Sequence, residues 1–276
     1  MLFVGPELID VVRSFAGDLT GVREIVAMEG ATPEWRDFTG WRDQQAATEP
    51  PRQATLSDIA IQLYTSGTTG YPKGAMLSNY NLLGMRERDP ADRREWNRAS
   101  RDDVWLVPMP VFHIGGSGVL VWAAYNGGKC VITREFDAVR ILDDFVNHRV
   151  SKLFLVPAAM QFIVRQSRAR TVDFSRLKYL MYGASPMPLA LLRECIDVFK
   201  CGFVQMYGMT ETTGTIVALG PEDHTPEGSP RMRSAGRPLP GVEVAILDPA
   251  GRELPCGQVG EIATRSIANM VGYWNL

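Results

Sequence analysis

Three short apolar runs begin at Leu153, Lys178 and Phe203, about 25 residues apart. Between them lie stretches with helical periodicity. One follows Pro157 and continues to about Arg168. The other opens with Pro188 at its first position and carries Leu192, Ile196 and Phe199 on one face. A strand–helix–strand rhythm of this length is that of right-handed crossovers, and it predicts a parallel sheet. Cys130–Thr133 reads as a further strand, followed by Asp137 as the cap of a helix with Val139, Leu142, Phe145 and Val146 on its apolar side. Ile59–Tyr64 is a short strand that runs into a glycine-rich turn. After residue 220 the chain becomes Pro/Gly-rich. Val242–Leu247, the turn Asp248-Pro-Ala-Gly251 and Val259–Thr264 then predict a small antiparallel β unit. The expected fold class is therefore α/β: a parallel-sheet body over residues 1–225 and a β-rich subdomain over 226–276.

Composition removes several function classes. The 276 residues carry 29 Lys+Arg against 31 Asp+Glu, a formal charge of −2, which argues against nucleic acid as a partner. Four cysteines stand without C-x-x-C spacing, and three scattered histidines supply no zinc pattern. Reduced thiols in a cytoplasmic protein are the expectation. The N-terminal MLFVGPELIDVV has no charged leader and meets Pro6, Glu7 and Asp10 early, unlike a signal peptide. Val104–Tyr125 carries no formal charge and is long enough to span a bilayer. Pro108, Pro110, Gly115, Gly116 and Gly118 interrupt it, so two buried elements joined by a loop are expected instead of a transmembrane segment. Residues 30–58 read as an irregular connection, and the mixed-charge run 86–103 as a solvated loop or short helix.

Three turns follow predicted strands: Thr65–Gly74, Gly183–Ser185 and Tyr207–Thr212. In an open parallel sheet ligands bind beyond the carboxyl ends of strands, so the three are expected to meet at one crevice. In the first turn Gly67, Gly70 and Gly74 allow the backbone N–H groups to be exposed. Thr65, Ser66, Thr68 and Thr69 add hydroxyls, and Lys73 adds a cation. That inventory suits a polyphosphate. It is not a Walker A loop, because no Gly-Lys-Ser/Thr is present. Pro72 keeps Tyr71 out of helical geometry, so the next helix is expected after Ser78, to about Met85.

YTSGTTGYPKGAMLSNYNLL (64–83) resembles the phosphate-binding signature of the adenylate-forming superfamily of acyl-CoA synthetases, adenylation domains and luciferases. MYGMTET (206–212) is similar to that superfamily's second signature, and YGASPMP (182–188) to its adenine-binding segment. PMPVFHIGG (108–116), SAGRPLPG (234–241) and GEIATRSIANMVGYWN (260–275) resemble further segments, in the expected order. The resemblance is nearest to fatty-acid and other carboxylate–CoA ligases. It implies a two-step reaction with ATP, Mg2+ and coenzyme A: a carboxylate attacks the α-phosphate, then a thiol takes the acyl group. It implies that Thr210 contacts phosphate and that Glu211 holds the metal. Gly183, Ala184 and Ser185 would line the adenine, Tyr207 would stack on it beside Gly208, and His113 would shape the acyl or pantetheine channel. His148 and His224 are read as satisfied core histidines. Trp122, Met160 and Phe162 fit either an acyl pocket or plain core packing.

Members of the superfamily are longer. The resemblance implies that this chain is an internal fragment of their large N-terminal domain. It would lack an upstream portion, the ribose-binding aspartate and the lid domain with its adenylation lysine, a role Lys73 cannot fill. Alone it would be inactive or impaired. The partner is a small carboxylate, with a homo-oligomer also open. Other readings are a non-catalytic ATP-binding or oligomerisation module, an amino-acid or aryl-acid adenylation domain, and a P-loop phosphotransferase.

Overall fold

The computed structural model describes residues 1–30, 32–67, 70–87 and 94–276. The chain packs as two units, Met1–Gln53 and Ala54–Leu276. In the first, β1 (Leu2–Val4) is followed by α1 (Ile9–Arg13), β2 (Ile25–Ala27), β3 (Arg36–Asp37) and α2 (Phe38–Asp43). The three strands are parallel, in the order β1–β2–β3. Ile9 and Val12 of α1 bury against Val4 and Ala27. The Asp37 carboxylate caps α2 by accepting from the Gly40 N–H at 3.0 Å, and Phe38 and Trp41 pack on Phe3. Part of the stretch expected to be irregular therefore holds a strand and a helix, anchored by two aromatics in an otherwise polar segment.

The second unit opens with β4 (Ile59–Thr65), β5 (Lys73–Ser78) and α3 (Asn79–Glu87). Then come β6 (Val104–Val107), α4 (Ile114–Tyr125), β7 (Lys129–Ile132), α5 (Ala138–His148), β8 (Lys152–Leu155) and α6 (Pro157–Val164). They are followed by β9 (Tyr179–Gly183), α7 (Leu189–Phe199), β10 (Gly202–Met209), β11 (Gly214–Leu219) and β12 (Arg237–Pro238). The unit ends with β13 (Glu243–Leu247), β14 (Glu261–Arg265) and β15 (Gly272–Tyr273). Seven strands make one sheet in the order β12–β11–β10–β9–β8–β6–β7. The five from β10 to β7 are parallel, as the strand spacing predicts; β11 and β12 are antiparallel additions at one edge.

Both faces of this sheet are covered, which is why its strands read as unbroken apolar runs. Leu106, Leu153, Leu155, Leu180, Tyr182 and Phe203 pack with α5, α6 and α7. Their neighbours in sequence, among them Trp105, Val107, Phe154, Met181 and Val204, pack with α4. Each such large apolar side chain contributes about 1.5–3 kcal/mol by leaving water. Asp137 caps α5 as expected, accepting from the Val139 and Arg140 N–H groups at 2.8 and 3.0 Å. Pro188 is the N-cap of α7, one position before the place expected for it. α4 runs through Gly115, Gly116 and Gly118 without breaking. A Cβ on Gly116 would lie 2.3 Å from the Pro110 carbonyl oxygen, so that glycine serves a close approach. No helix among the described residues is long and apolar enough to cross a membrane.

Two expectations need correction. The Thr65–Gly74 turn does not end a strand of the parallel sheet. It joins β4 to β5 in an antiparallel hairpin, with Thr65 opposite Lys73, in a separate sheet of order β15–β5–β4. The run 86–103 is not simply solvated: Trp96, Asn97 and Asp103 are buried. Residues 88–93 of that run lie outside the described residues. Asp103 accepts from Lys178 Nζ at 2.9 Å and from Ser151 Oγ at 3.1 Å, and pairs with the buried Lys152 ammonium at 3.2 Å. Lys152 also donates to the Arg98 carbonyl. Burial alone would raise the Asp103 carboxyl; the bonds from Lys178 and Ser100 and the charge of Lys152 outweigh it and leave the group below its ordinary value.

His224 is a satisfied, half-buried histidine with both ring nitrogens hydrogen-bonded. Its Nδ1 donates to the Gly220 carbonyl at 2.7 Å, which leaves Nε2 to accept from the Tyr182 hydroxyl at 2.9 Å. Burial holds its pKa below the usual 6.5. The unfolded chain therefore takes up this proton first, and stability is lost as pH falls from about 6.5 toward the folded value. Thermal melts between pH 7 and pH 5 should show a steeper fall for the native chain than for His224→Gln. Equal slopes would contradict the assignment.

Candidate active site

A cavity of about 380 Å³ opens in the second unit. Thr65 from the end of β4, Ala184 just past β9, Gly208 of β10 and the turn bearing Thr210 and Glu211 line one part of it. His113 and one face of α4 line another. Six residues named from the sequence thus come together: Thr65, His113, Ala184, Gly208, Thr210 and Glu211. Trp122 lines the cavity too, whereas Met160 is core and Phe162 is exposed.

The remaining candidates lie around it. Ser66 and Ser185 are exposed, and Tyr207 packs half-buried against the cluster under α4. Gly183 is buried in β9, where a Cβ would lie 2.0 Å from the Met206 carbonyl oxygen; close strand packing explains that glycine. Gly67 and Gly70 have φ of 54° and 90°, the left-handed backbone their turn demands. Thr68 and Thr69 lie outside the described residues.

The hairpin and the acidic turn face each other through a residue that sequence reasoning did not assign. Tyr273 donates its hydroxyl to Glu211 Oε1 at 2.7 Å, and Lys73 Nζ sits 5.4 Å from the centroid of the same ring. The hydrogen bond to Glu211 and burial together hold the Tyr273 phenol up at about 12. The backbone reinforces this arrangement. The Met270 N–H donates to the Glu211 carbonyl at 2.7 Å, and the Trp274 N–H to the Gly74 carbonyl at 2.8 Å. Asn81 donates to the carbonyls of Ile267 and Asn269, both at 2.8 Å, which ties α3 to the same segment. The only sequence signal for Tyr273 was its place in Gly-Tyr-Trp-Asn.

The local backbone is strained where the cavity needs it. Ala184 has φ 64° and Thr213 φ 53°, a left-handed conformation that side chains other than glycine adopt at a cost. The register of β10 against β11 shifts between Tyr207 and Gly208, a bulge that re-aims the strand end. His113 caps α4, its Nδ1 accepting from the Gly115 N–H at 3.0 Å, so its remaining proton sits on Nε2. Arg86, Trp96 and Asn97 also line the cavity. Nothing in their spacing within a charged run marks them from sequence.

A covered, largely parallel sheet with a cavity beyond its strand ends is an α/β fold of the ligand-binding kind. The chain belongs to the AMP-binding enzyme family, whose profile matches residues 2–274. It is 38% identical to a fatty acid–[acyl-carrier-protein] ligase of Streptomyces coeruleorubidus over 91% of this chain and 50% of that protein. It is 31% identical to an indoleacetate–CoA ligase of Aromatoleum aromaticum over 100% of this chain and 52% of that protein. Among solved structures, the amide bond synthetase McbA of Marinactinospora thermotolerans superposes with a TM-score of 0.80 at 27% identity, over 99% of this chain and 53% of that one. The chain spans about half the length of the curated relatives it matches. These likenesses agree with the α/β fold class and with the superfamily read from the sequence.

Gly208 is the site position least tolerant of a side chain. A Cβ there would lie 1.8 Å from the Gly214 carbonyl oxygen. Overpacking of about 1–3 kcal/mol should lower the melting temperature of Gly208→Ala by roughly 3–10 °C. A melt superimposable on the native one would contradict the close approach.

Proposed function

We propose that the protein activates a carboxylic acid of fatty-acid type with ATP and passes the acyl group to coenzyme A. The observation that carries this reading is the meeting of the Thr65–Lys73 hairpin with Glu211 through Tyr273, beside a cavity of about 380 Å³. In the first step a carboxylate oxygen bonds to the α-phosphorus and pyrophosphate leaves, giving an acyl-adenylate. In the second the thiol sulfur bonds to the acyl carbon, AMP leaves, and the thiol gives up its proton. An aryl acid is the second reading, favoured by Trp96, Trp122 and Phe154 in the cavity wall.

Binding and orientation fall to this chain's residues. Lys73 and the hydroxyls of Thr65, Ser66, Thr68 and Thr69 receive the phosphate charge, with the backbone N–H groups of Gly67 and Gly70. Thr210 donates to phosphate. Gly183, Ala184 and Ser185 form the edge against which the adenine lies, with Tyr207 stacked beside Gly208. His113 presents its Nε2 proton toward the acyl or pantetheine channel. The donor set fits Mg2+: Glu211 supplies a hard carboxylate, and the described residues hold no cluster of three His, Cys, Asp or Glu that would form an all-protein cation cage. Bound there, Mg2+ would neutralise the charge of the leaving pyrophosphate. Tyr273 occupies Glu211 Oε1 and so fixes which way the carboxylate turns. Four free cysteines suit a reducing cytoplasm.

Because the relatives are about twice as long, binding and turnover are separate tests. Alone the chain is expected to turn over poorly or not at all; whatever AMP it releases from ATP, Mg2+, coenzyme A and a panel of fatty acids should be accompanied by pyrophosphate. Glu211→Gln should lower the rate on the order of 10²-fold, as loss of a charge partner at a transferring phosphoryl group does. Orthophosphate as the product, or an unchanged Glu211→Gln, would contradict the reading.

A further inference from the structure

The glycines of α4 serve different ends. Gly115, Gly116 and Gly118 interrupt an apolar run in the sequence, yet the helix continues through all of them. Glycine in a helix interior is destabilising relative to alanine, so a glycine there has a local reason or a functional one. Gly116 lets the helix approach the Pro110 carbonyl, and a Cβ on Gly115 would press on the Phe154 ring at 3.1 Å. In α3, a Cβ on Gly84 would likewise meet the Ile267 side chain at 2.8 Å. Gly118 has no such neighbour. Among the described residues a Cβ there would meet only the Ile114 side chain of its own helix, at 3.6 Å, which is ordinary contact. Packing therefore does not require a glycine at this position.

The space beside Gly118 belongs to the cavity. Ile114, Gly115, Gly118, Val119 and Trp122 all line it. At about 100° per residue these positions span roughly 140° of the helix surface, and Gly118 falls between Ile114 and Trp122. Bare backbone thus forms the middle of the face that α4 turns to the cavity. A Cβ on Gly214 would lie 3.6 Å from the Ile114 side chain, so the first turn of α4 adjoins the strand that follows the acidic turn. Along the helix axis Gly118 stands about 7.5 Å beyond His113, and Trp122 about 13.5 Å beyond it. The opening at Gly118 therefore lies past the end of α4 that meets the acidic turn. Leu82, Met85, Phe154, Met206 and Leu239 supply further apolar wall.

We infer that Gly118 determines how large an acid this site accepts: the body of the acid lies against the bare α4 backbone between Ile114 and Trp122, and a side chain there would exclude long acids before short ones. The inference rests on the cavity being the acyl site proposed above. It makes Gly118 a specificity-determining residue, retained for the space it leaves at the expense of helix stability. Close-packed walls yield to an added methyl only at a cost, and one methylene of misfit in an apolar pocket changes discrimination by roughly 10–200-fold.

The test measures the binding of hexanoic and decanoic acid to the 276-residue chain by calorimetry in the presence of AMP, in the native protein, in Gly118→Ala and in Gly118→Leu. Gly118→Ala should raise the melting temperature by about 1–4 °C, as replacing a helix-interior glycine does, and yet weaken decanoic acid relative to hexanoic acid. Gly118→Leu should lower the decanoate-to-hexanoate affinity ratio about tenfold or more. A merely structural glycine would lose stability and affinity together, and for both acids alike. An affinity ratio unmoved in both variants, or a lower melting temperature in Gly118→Ala, would overturn the inference alone. Absence of saturable binding for both acids in the native chain would overturn the acyl-site reading and the inference with it.

Discussion

Tyr273 joins two parts of the chain that belong to different sheets. Its backbone extends the three-stranded sheet of β4, β5 and β15, and its hydroxyl reaches the turn that follows β10 in the seven-stranded sheet. The hairpin strand β5 and the Glu211 turn already lie next to each other, and Tyr273 ties them together. The Lys73 ammonium lies over the face of the Tyr273 ring and the Glu211 carboxylate takes its hydroxyl proton in a hydrogen bond, and the backbone bonds from Met270 and Trp274 lock the bridging segment to both. A short charge-assisted hydrogen bond in a half-buried place is a stronger constraint than a neutral one, and it sets the direction in which Glu211 can face a ligand.

The large sheet provides the rigid floor for this arrangement. Its parallel strands are buried on both faces, so their ends are fixed to within the tolerance of close packing. Ala184 and Gly208 leave neighbouring strands β9 and β10 at the cavity, and α4 starts beside them with His113 as its cap. The strained φ values of Ala184 and Thr213 are held by that surrounding structure.

Much of the floor was legible in the sequence, and for a physical reason. Strands buried on both faces show as apolar runs, and helices that cover them show a 3.6-residue stripe, so β8, β9, β10, α5 and α7 stand out. The Thr65–Gly74 segment was legible as a glycine- and hydroxyl-rich turn but not as a hairpin. β5 begins Lys-Gly-Ala and lacks the β-branched pattern that marks a strand, so the chain after Pro72 read as a path to a helix. The edge strands β11 and β12 follow turn chemistry and have no crossover rhythm to announce them. Thr65, His113, Ala184, Gly208, Thr210 and Glu211 could be named as candidates because their motifs are local, and they line one cavity. Tyr273, Trp96 and Arg86 were missed because what places them at the site is contact over long sequence separation, which a linear pattern does not carry.

The most direct test of the account is the titration of ATP with Mg2+ into the chain by calorimetry, in the native protein and in Lys73→Ala and Tyr273→Phe. A single saturable site is predicted. Lys73→Ala should weaken it about tenfold or more, since it removes a charged hydrogen-bond donor from the phosphates. Tyr273→Phe should weaken it in the presence of Mg2+ more than in its absence. No binding heat in the native chain, or native affinity in Lys73→Ala, would contradict the claim that the hairpin and the Glu211 turn share one nucleotide.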